Sequence, residues 1–394
     1  MVAPIKDIDS MCGIFGFVAN SDAGLDMISC RRMLIDLFHR SEPRGRDASG
    51  LVLVSDQTAS VYKKPLPPDR FLSDNGLKQF LSEKLTQSCD RQTGNLGKPF
   101  AAIGHCRLVL SGTEVIHQNN QPIVVHPIVG IHNGLITNES ELLSKDNHFQ
   151  KSSDIDSEII FQLINKFCDK GFSITNATSR CLNEIEGTAA IAFLRQNEGH
   201  MVLATNYGSL FIAQSEGLSI FASERTILEG FLKANKTLVG NCGPVEGVKA
   251  DSGRLINLVT ARYETIDLST AKATNSDKDQ EPYSQIKEII DLPPEKIQLK
   301  RCTRCILPAT YPFISFDENN VCNYCQDYVA PQLFGEAALE AELDKHRSVD
   351  GSPDCLVGLS GGRDSSYGVH LLKNKYRMNP IAFSYDWGMV TDIS

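Results

Sequence analysis

Cys12 is the residue in this chain best placed to act as a nucleophile. It directly follows Met11 and begins the apolar, glycine-interrupted run Gly13-Ile14-Phe15-Gly16-Phe17. A cysteine attacks as a thiolate, so the thiol needs a base. If Met11 and the residues before it are removed, the free α-amine of Cys12, which titrates near about pH 8, supplies that base. The alternative interpretation is a small buried cysteine at the start of a strand.

Three later stretches carry groups suited to binding a small polar substrate. Arg107, within Gly104–Leu108, offers a guanidinium that can fork onto a carboxylate. Asn133 and Gly134 end an apolar run with a side-chain amide and an uncrowded backbone N–H, which are the donors of an oxyanion hole. The acids of Asp154–Glu158 open a predicted helix, where the alternative is simple capping of the helix dipole.

Together these stretches resemble the glutaminase domain of class II glutamine amidotransferases, as found in asparagine synthetase. This domain belongs to the N-terminal-nucleophile hydrolases. The matching motifs are Cys-Gly-Ile-x-Gly at 12–16, Arg-Gly-x-Asp-x-x-Gly at 44–50, Gly-His-x-Arg-Leu at 104–108, Asn-Gly at 133–134 and Ser-Asp-x-Glu-like spacing at 153–158. They occur in the family's order over residues 12 to about 260.

The resemblance implies a role for five residues. Cys12 attacks the side-chain amide of glutamine, and Arg107 holds the α-carboxylate. Asp156 holds the α-ammonium group, and Asn133 with Gly134 stabilises the tetrahedral oxyanion.

Three further positions qualify the resemblance. Glu224, in Ala222-Ser223-Glu224, also matches a recurring motif, but no role follows for it. Leu135 stands where asparagine synthetases usually carry an acid, and Arg46 stands where proline is common. These departures leave glutamine binding intact as a prediction and weaken the link to asparagine synthetase itself.

A second group of residues predicts a metal site. Two Cys-x-x-Cys pairs, separated by sixteen residues, have the spacing of a tetrahedral zinc site with four sulfur ligands. A closed four-thiolate site is structural, and the alternative is four unrelated buried thiols. The predicted ligands are Cys302, Cys305, Cys322 and Cys325.

A third group predicts phosphate binding. The apolar stretch Leu356–Leu359 runs into Ser-Gly-Gly-Arg-Asp-Ser, where backbone N–H groups at a glycine turn and helix start can hold phosphate oxygens. This turn resembles the pyrophosphate loop of the ATP pyrophosphatase superfamily, which implies ATP binding with Mg²⁺ on Asp364. The alternative is a plain strand–turn–helix. The predicted ATP-binding residues are Ser360, Gly361, Gly362, Asp364 and Ser365.

The elements around these groups predict an α+β fold. Many short apolar runs bounded by turn residues, with few helices between them, indicate stacked sheets flanked by helices. Ser157–Phe167 carries a helical period instead. The resemblance implies the helix–sheet–sheet–helix sandwich of N-terminal-nucleophile hydrolases, followed by a small zinc module and a truncated α/β ATP pyrophosphatase domain.

Five segments are predicted. Residues 1–11 are predicted to be a propeptide, or to result from a start codon wrongly assigned upstream of Met11. The polar stretch around 269–298 is predicted to be a linker. The full set is a leader at 1–11, a glutaminase domain at 12–268, the linker at 269–298, a zinc module at 299–330 and the start of an ATP pyrophosphatase domain at 331–394.

Net charge, apolar content and cysteine usage indicate which partners and which cellular location to expect. The net charge of −9 and the pI near 5.5 argue against nucleic acid or an anionic membrane as a partner. The N-terminus has no apolar signal sequence, and the chain has no apolar run long enough to span a bilayer. Twelve cysteines without an export signal favour reduced thiols and a cytoplasmic location.

The zinc module is foreign to asparagine synthetase. Its sequence, Arg301–Cys305 with Val321–Asn323, resembles the start of the N-acetyl-sugar amidotransferases, which act in surface-polysaccharide and flagellin-glycan synthesis. The predicted activity is therefore glutamine hydrolysis coupled to transfer of ammonia onto an ATP-activated acceptor, a sugar N-acetyl group or an amino-acid carboxylate or amide. The predicted cofactors are ATP, Mg²⁺ and Zn²⁺.

Few residues follow the phosphate loop, so we expect a separate or longer chain to supply the rest of the synthetase half. The alternatives are an asparagine synthetase-like enzyme, a tRNA-modifying enzyme with a pyrophosphate loop, and a non-catalytic zinc scaffold.

Overall fold

The computed structural model describes residues 12–145, 149, 151–269, 283–288, 300–309, 311 and 313–384. The strands in these ranges are β1 (Gly13–Ala19), β2 (Ala48–Ser55), β3 (Gln57–Lys64), β4 (Phe100–Arg107), β5 (Ile123–Val125), β6 (Ile128–Ile136), β7 (Gly187–Arg195), β8 (His200–Thr205), β9 (Phe211–Ser215), β10 (Leu218–Ala222), β11 (Glu246–Gly247), β12 (Ser252–Asn257), β13 (Tyr263–Asp267), β14 (Tyr283–Glu288), β15 (Cys355–Gly358) and β16 (Pro380–Phe383). The helices are α1 (Met27–Ser41), α2 (Pro68–Ser73), α3 (Asn75–Ser88), α4 (Glu139–Lys145), α5 (Glu158–Asp169), α6 (Ile174–Glu184), α7 (Arg225–Ala234), α8 (Lys236–Val239), α9 (Asn323–Gln326), α10 (Glu336–Asp344) and α11 (Arg363–His370).

Contacts divide the chain into two compact units, residues 1–323 and 324–394. The first unit contains two sheets. An eight-stranded sheet has the order β11-β9-β10-β1-β4-β2-β3-β14, and a six-stranded sheet has the order β13-β12-β8-β7-β6-β5. All described pairings in them are antiparallel except β14 with β3.

The sheets are buried on both faces, because their alternating side chains pack into different cores. On β1, Ile14 and Val18 point into the core between the sheets, whereas Phe15 and Phe17 pack against α1, α3 and α7. A third core lies between the six-stranded sheet and α4, α5 and α6. The predicted α+β order of helix, sheet, sheet and helix layers is confirmed.

Helix α5 shows how the sequence period produces this layering. Its buried apolar residues recur at three- and four-residue spacing, which gives the helix one apolar stripe facing β6 and β7. The predicted helical period is therefore confirmed. The residues in the stripe are Ile159, Ile160, Leu163, Ile164 and Phe167.

The described part of the predicted linker, residues 283–288, is a strand. β14 pairs in parallel with β3 at the edge of the larger sheet, and Ile286 packs against the core between the sheets. Composition around 269–298 gave no sign of this strand, because its stability depends on a sheet edge more than 200 residues earlier in the chain.

The second unit is small. β15 and β16 pair in parallel, and α11 lies between them in the chain. The strand–turn–helix predicted for the phosphate loop is therefore present. Among the described residues, none of the helices is both long and apolar enough to cross a membrane.

Candidate active site

Strand alternation brings three predicted site residues into the core between the two sheets. The residues that β1, β4 and β6 turn into this core include Ile14, Ile103 and Ile131. Cys12, Arg107 and Asn133 follow the same alternation, each an even number of residues away. Arg107 lies directly across from Cys12, because β1 and β4 pair Gly13 with Cys106. β6 packs against both strands.

Cys12 is buried with its sulfur against the loop that follows β4. Its Sγ lies 3.6 Å from the carbonyl oxygen of Leu108 and accepts a hydrogen bond from the Leu108 N–H at 3.4 Å. Burial raises the pKa of the thiol to about 11, although the Leu108 N–H and the charges of Arg107 and Arg44 oppose this rise. At neutral pH the sulfur is therefore a protonated thiol, and attack requires a base.

Arg107 is buried and holds the loop after β4. Its guanidinium donates to the carbonyl oxygens of Ser111 (2.7 Å) and Gly112 (3.0 Å) and to Oδ1 of Asn120 (2.9 Å). Burial lowers its pKa, and nearby acids oppose this shift. Arg107 therefore holds the loop together, a structural role that its sequence motif does not show, and its role as a carboxylate clamp stays a prediction.

Asp47 is a site residue that sequence reasoning missed. Its carboxylate accepts a hydrogen bond from the Val109 N–H at 2.6 Å, and its own N–H donates to the Arg107 carbonyl at 3.0 Å. Burial raises the pKa of this carboxyl. Asp47 therefore fixes the backbone on both sides of Leu108, which contacts the Cys12 sulfur. The signal was present, since Asp47 is the acid of the motif at 44–50.

Asn133 is fully buried on β6. Its side-chain Nδ2 donates to the hydroxyl of Tyr207 at 3.1 Å, which fixes the amide plane. The second Nδ2 hydrogen is the one predicted to donate to a substrate oxygen. The Oδ1 atom is buried and has no hydrogen-bond partner among the described residues. Tyr207 was not predicted, because it lies in a loop more than seventy residues away from Asn133 in the chain.

Gly134 occupies a position that excludes any side chain. Its φ is 148°, and a Cβ atom there would lie 1.9 Å from the Thr188 carbonyl oxygen and 2.7 Å from Nε2 of His132. Glycine is therefore required by both backbone conformation and space. This close approach keeps β6 against β7 at the point where the proposed oxyanion donors lie.

Asp156 lies at the entrance to α5. Its Oδ2 accepts a hydrogen bond from the Ile136 N–H at 2.6 Å, and its negative charge acts on both Cys12 and Arg107. The neighbouring Asp154 instead bonds to Asn119. The charge that acts on the thiol is therefore that of Asp156 and not that of Asp154.

His132 connects β6 to the start of α5. Its Nε2 faces the Thr188 carbonyl at 3.2 Å, which can only accept, so Nε2 carries the proton and Nδ1 accepts from the Ser157 hydroxyl at 2.8 Å. Burial lowers the pKa of this imidazole. A neutral His132 therefore holds the strand bearing Asn133 against the segment bearing Asp156.

An ion pair that was not predicted lies beside Cys12. Arg44 is buried, and its Nη1 lies 2.5 Å from Oε1 of Glu224. Arg44 also exerts its positive charge on the thiol. Glu224, for which the sequence indicated no role, therefore holds a cation close to the Cys12 thiol.

The predicted metal ligands form a separate cluster. The Sγ atoms of the four cysteines lie within 4.8 Å of one another, and those of Cys305 and Cys322 are 3.5 Å apart. Tetrahedral zinc, with Zn–S distances of about 2.3 Å, requires sulfurs separated by about 3.8 Å. Cys302 Sγ accepts backbone N–H groups of Arg304, Cys305 and Cys322, at 3.3–3.4 Å. The residues present therefore fit a zinc ion.

The N–H donors also favour the ligating form of Cys302. Burial opposes ionisation, but these hydrogen bonds outweigh it and lower the pKa of the thiol to about 6. A thiolate at neutral pH is the form that binds a metal.

Cys305→Ser is expected to remove most of the bound zinc, because one of four ligands is lost and metal binding at such a site is coupled to folding. Metal analysis of purified protein measures this directly. The matched control is Cys89→Ala, which removes a thiol of the first unit outside the cluster. Equal zinc content in wild type and Cys305→Ser would argue against the site.

The predicted phosphate loop is exposed and ordered by its own serines. The Ser365 hydroxyl donates to the Gly362 carbonyl at 3.1 Å and accepts from the Ser360 N–H at 3.2 Å. Gly361 has a φ of 79°, which glycine adopts without strain. Helix α11 starts at Arg363, so its first amides and exposed Asp364 lie at the turn. These features fit a phosphate group with a bound cation.

A cavity of about 520 Å³ lies elsewhere in the first unit. Its lining includes Asn20, Asp22, Lys98 and Arg262, at the Ala19 end of β1. Cys12 lies at the opposite end of that strand. This cavity therefore has no part in the cluster around the thiol.

Comparisons with known proteins match part of this chain. Residues 105–230 match the family model GATase_7, described as a glutamine amidotransferase domain. This match contains Arg107, Asn133, Gly134 and Asp156.

Two of the curated relatives are glutamine–fructose-6-phosphate aminotransferases [isomerizing]. The one from Staphylococcus epidermidis strain RP62A is 27% identical over 225 residues, covering 54% of this chain and 32% of the relative. The one from Staphylococcus aureus strain Mu50 is 28% identical over the same length and coverage. The chain thus spans about a third of the length of the curated relatives it matches.

The solved structures include a glutamine phosphoribosylpyrophosphate amidotransferase from B. subtilis. It is 19% identical, has a TM-score of 0.46, and the alignment covers 66% of this chain and 49% of that chain. The family-model match supports a glutamine amidotransferase domain that includes residues 105–230, and the curated relatives are similar to this chain over 225 residues.

Proposed function

We propose that Cys12 is the nucleophile of a glutaminase reaction in the first unit. The observation that carries the proposal is the convergence of Cys12, Arg107 and Asn133 in the core between the two sheets. Asp156 adds a carboxylate whose charge reaches the thiol. A cation, an anion, a nucleophile and an amide donor in one cluster match the groups of glutamine: its carboxylate, ammonium, side-chain amide carbon and carbonyl oxygen.

The reaction follows from these positions. The α-amine of a terminal Cys12 takes the thiol proton, and the sulfur forms a bond to the amide carbon of glutamine. Asn133 Nδ2 and the Gly134 N–H donate to the oxygen that becomes negative. The protonated amine then gives its proton to the departing nitrogen, so the C–N bond breaks and ammonia leaves. Water attacks the resulting thioester, which releases glutamate and restores the thiol.

We further propose that the ammonia is passed to an acceptor activated at the second unit, with an N-acetyl sugar as the acceptor. The support is the phosphate-loop geometry at Ser360–Ser365 and the cysteine cluster. ATP and Mg²⁺, when bound, activate the acceptor oxygen as a leaving group, and zinc, when bound, crosslinks the segment 302–325. Only about a third of the length of the curated relatives is matched. Their own acceptor therefore does not indicate whether the acceptor of this chain is a sugar or an amino acid.

The phosphate loop is tested by binding, with inorganic pyrophosphate and Mg²⁺ as the probes. Wild type is expected to bind pyrophosphate more tightly when Mg²⁺ is present, as measured by titration calorimetry. Asp364→Ala should lose the Mg²⁺ dependence, because a hard cation needs the carboxylate. The matched control is Asp344→Ala, an exposed acid on α10.

Glutamate release is measured on the same samples. It should be equal in wild type and Asp364→Ala, because Asp364 has no part in the first reaction. Pyrophosphate binding that does not depend on Mg²⁺ in wild type would contradict the assignment of the loop as an ATP site with bound Mg²⁺. Absence of glutamate release in wild type would instead contradict the glutaminase.

A further inference from the structure

Lys63 is a buried cation in the core between the sheets. Its side chain is 3% exposed, and Ala59 and Val61 precede it on the same face of β3. Burial removes water from this ammonium group, which disfavours its charged form and lowers its pKa. A buried charge of this kind is tolerated when an opposite charge and hydrogen bonds satisfy it.

Glu288, at the end of β14, supplies the opposite charge. Its Oε1 lies 3.1 Å from Lys63 Nζ and 2.8 Å from Nε2 of His117. Partial burial would raise the pKa of the carboxyl, but the hydrogen bond from His117 and the charge of Lys63 lower it to about 2. Glu288 is therefore ionised at neutral pH.

The strand register explains why Glu288 reaches this position. In the parallel pairing of β14 with β3, Ile286 lies opposite Ala59 and Glu288 opposite Val61. Ile286 packs against the core between the sheets, so Glu288, two residues later, faces the same way. In this register Ile286 packs into the core and Glu288 reaches Lys63 at the same time.

The other partners of this ion pair belong to residues 117–122, here called the amide segment. His117 begins the segment, and Lys63 Nζ donates to the carbonyl oxygen of Pro122 at 3.0 Å. Glu288 thus contacts one end directly and the other through Lys63.

Between those ends, three buried amides reach the proposed glutamine site. Asn120 accepts from Arg107 at 2.9 Å, and Asn119 donates to Asp154 at 3.1 Å. Gln121 accepts from the His132 N–H at 2.6 Å and donates to the His132 carbonyl at 3.0 Å, one residue before Asn133. The segment therefore contacts both the carboxylate clamp and the strand of the oxyanion donor.

We propose that Glu288 is a positioning residue, which ties β14 to the amide segment and so sets the orientation of Arg107 in the glutamine site. The effect on glutamine rests on the proposed glutaminase function, whereas the tie between β14 and the segment does not.

The test uses the full chain with Glu288→Gln, which keeps the side-chain shape and removes the charge. Hydrogen exchange, followed by mass spectrometry, should be at least about threefold faster in peptides covering residues 113–122, since loss of the tie lets this segment open locally. The KM for glutamine should rise about tenfold with kcat changed less than about threefold, because a clamp acts on ground and transition states alike. The matched control is Glu229→Gln, an exposed ion-paired acid on α7.

Exchange in residues 113–122 equal to that of the Glu229→Gln control would overturn the proposal. If Glu288→Gln accelerates exchange throughout the chain, Glu288→Asp is measured by the same criteria, because its shorter side chain withdraws the carboxylate from Lys63 and His117 without burying an uncharged amide. Faster exchange confined to the segment supports the tie in either variant. If wild type releases no glutamate, the proposed function fails, and the exchange result alone decides the tie.

Discussion

Cys12→Ala is expected to lower glutamine hydrolysis by about 10⁴-fold or more, as expected when a covalent nucleophile is removed. The residue has no substitute nearby. The next cysteine, Cys106, lies across from Gly13 on β4, but its side chain packs on the helix side of the sheet. Glutamate release by purified protein measures the loss.

The control for this variant is Cys89→Ala, a half-buried cysteine on the helix side of the larger sheet. It should keep wild-type glutamate release. Zinc content should be equal in Cys12→Ala and wild type, because the thiol lies outside the cysteine cluster. Residual hydrolysis within tenfold of wild type in Cys12→Ala would rule out Cys12 as the nucleophile.

The same argument predicts where the active protein begins. Burial holds the thiol pKa near 11, so the thiol alone supplies almost no thiolate at neutral pH. A free α-amine on Cys12, titrating near about pH 8, removes that obstacle. We expect active protein to have lost residues 1–11, which lie outside the described residues. Intact mass measured on active samples checks this, and full activity in protein that still carries Met1 would contradict it.

The apolar runs predicted stacked sheets flanked by helices, and the family resemblance supplied the candidate site residues. Alternation on β1, β4 and β6 decides which face each side chain occupies, so Cys12, Arg107 and Asn133 share one core for a reason visible in the sequence. The helical period of α5 likewise predicts the layer behind β6. The residue roles beyond this placement stay predictions.

The residues that sequence reasoning missed depend on contacts between distant parts of the chain. Arg44 pairs with Glu224 across about 180 residues, and Lys63 pairs with Glu288 across more than 220. Neither pair has a periodic or spacing signature. A buried lysine in an otherwise alternating strand is the one local hint, since such a cation needs a partner from elsewhere. The strand β14 was missed for the same reason.

Asn133→Ala is expected to lower kcat for glutamine by roughly 10²–10³, the usual loss when one oxyanion donor is removed. KM should change much less, because the donor acts on the charge that develops in the transition state. Steady-state glutamate release, measured over a range of glutamine concentrations, separates the two parameters.

This loss should occur with little change in the stability of the fold. In the free protein the Asn133 side chain donates one hydrogen bond to Tyr207, while its buried Oδ1 has no partner among the described residues. An unpaired buried acceptor destabilises the folded state by about 1–3 kcal/mol. Removal of the amide therefore eliminates this unfavourable contribution and also the favourable hydrogen bond to Tyr207, and the two changes offset each other. The melting temperature of Asn133→Ala is therefore expected to stay within a few degrees of wild type.

Tyr207→Phe distinguishes positioning from donation. It removes the hydroxyl that fixes the amide plane but keeps Asn133 itself. We expect a loss in kcat of about tenfold, smaller than that of Asn133→Ala, because the amide can still turn toward the oxyanion. An unchanged kcat in Asn133→Ala, with an intact melting transition, would show that Asn133 is not the donor. The unpaired Oδ1 would then be a cost of folding with no catalytic purpose. A large fall in kcat with unchanged stability is the pattern expected of a residue kept for the transition state rather than for the fold.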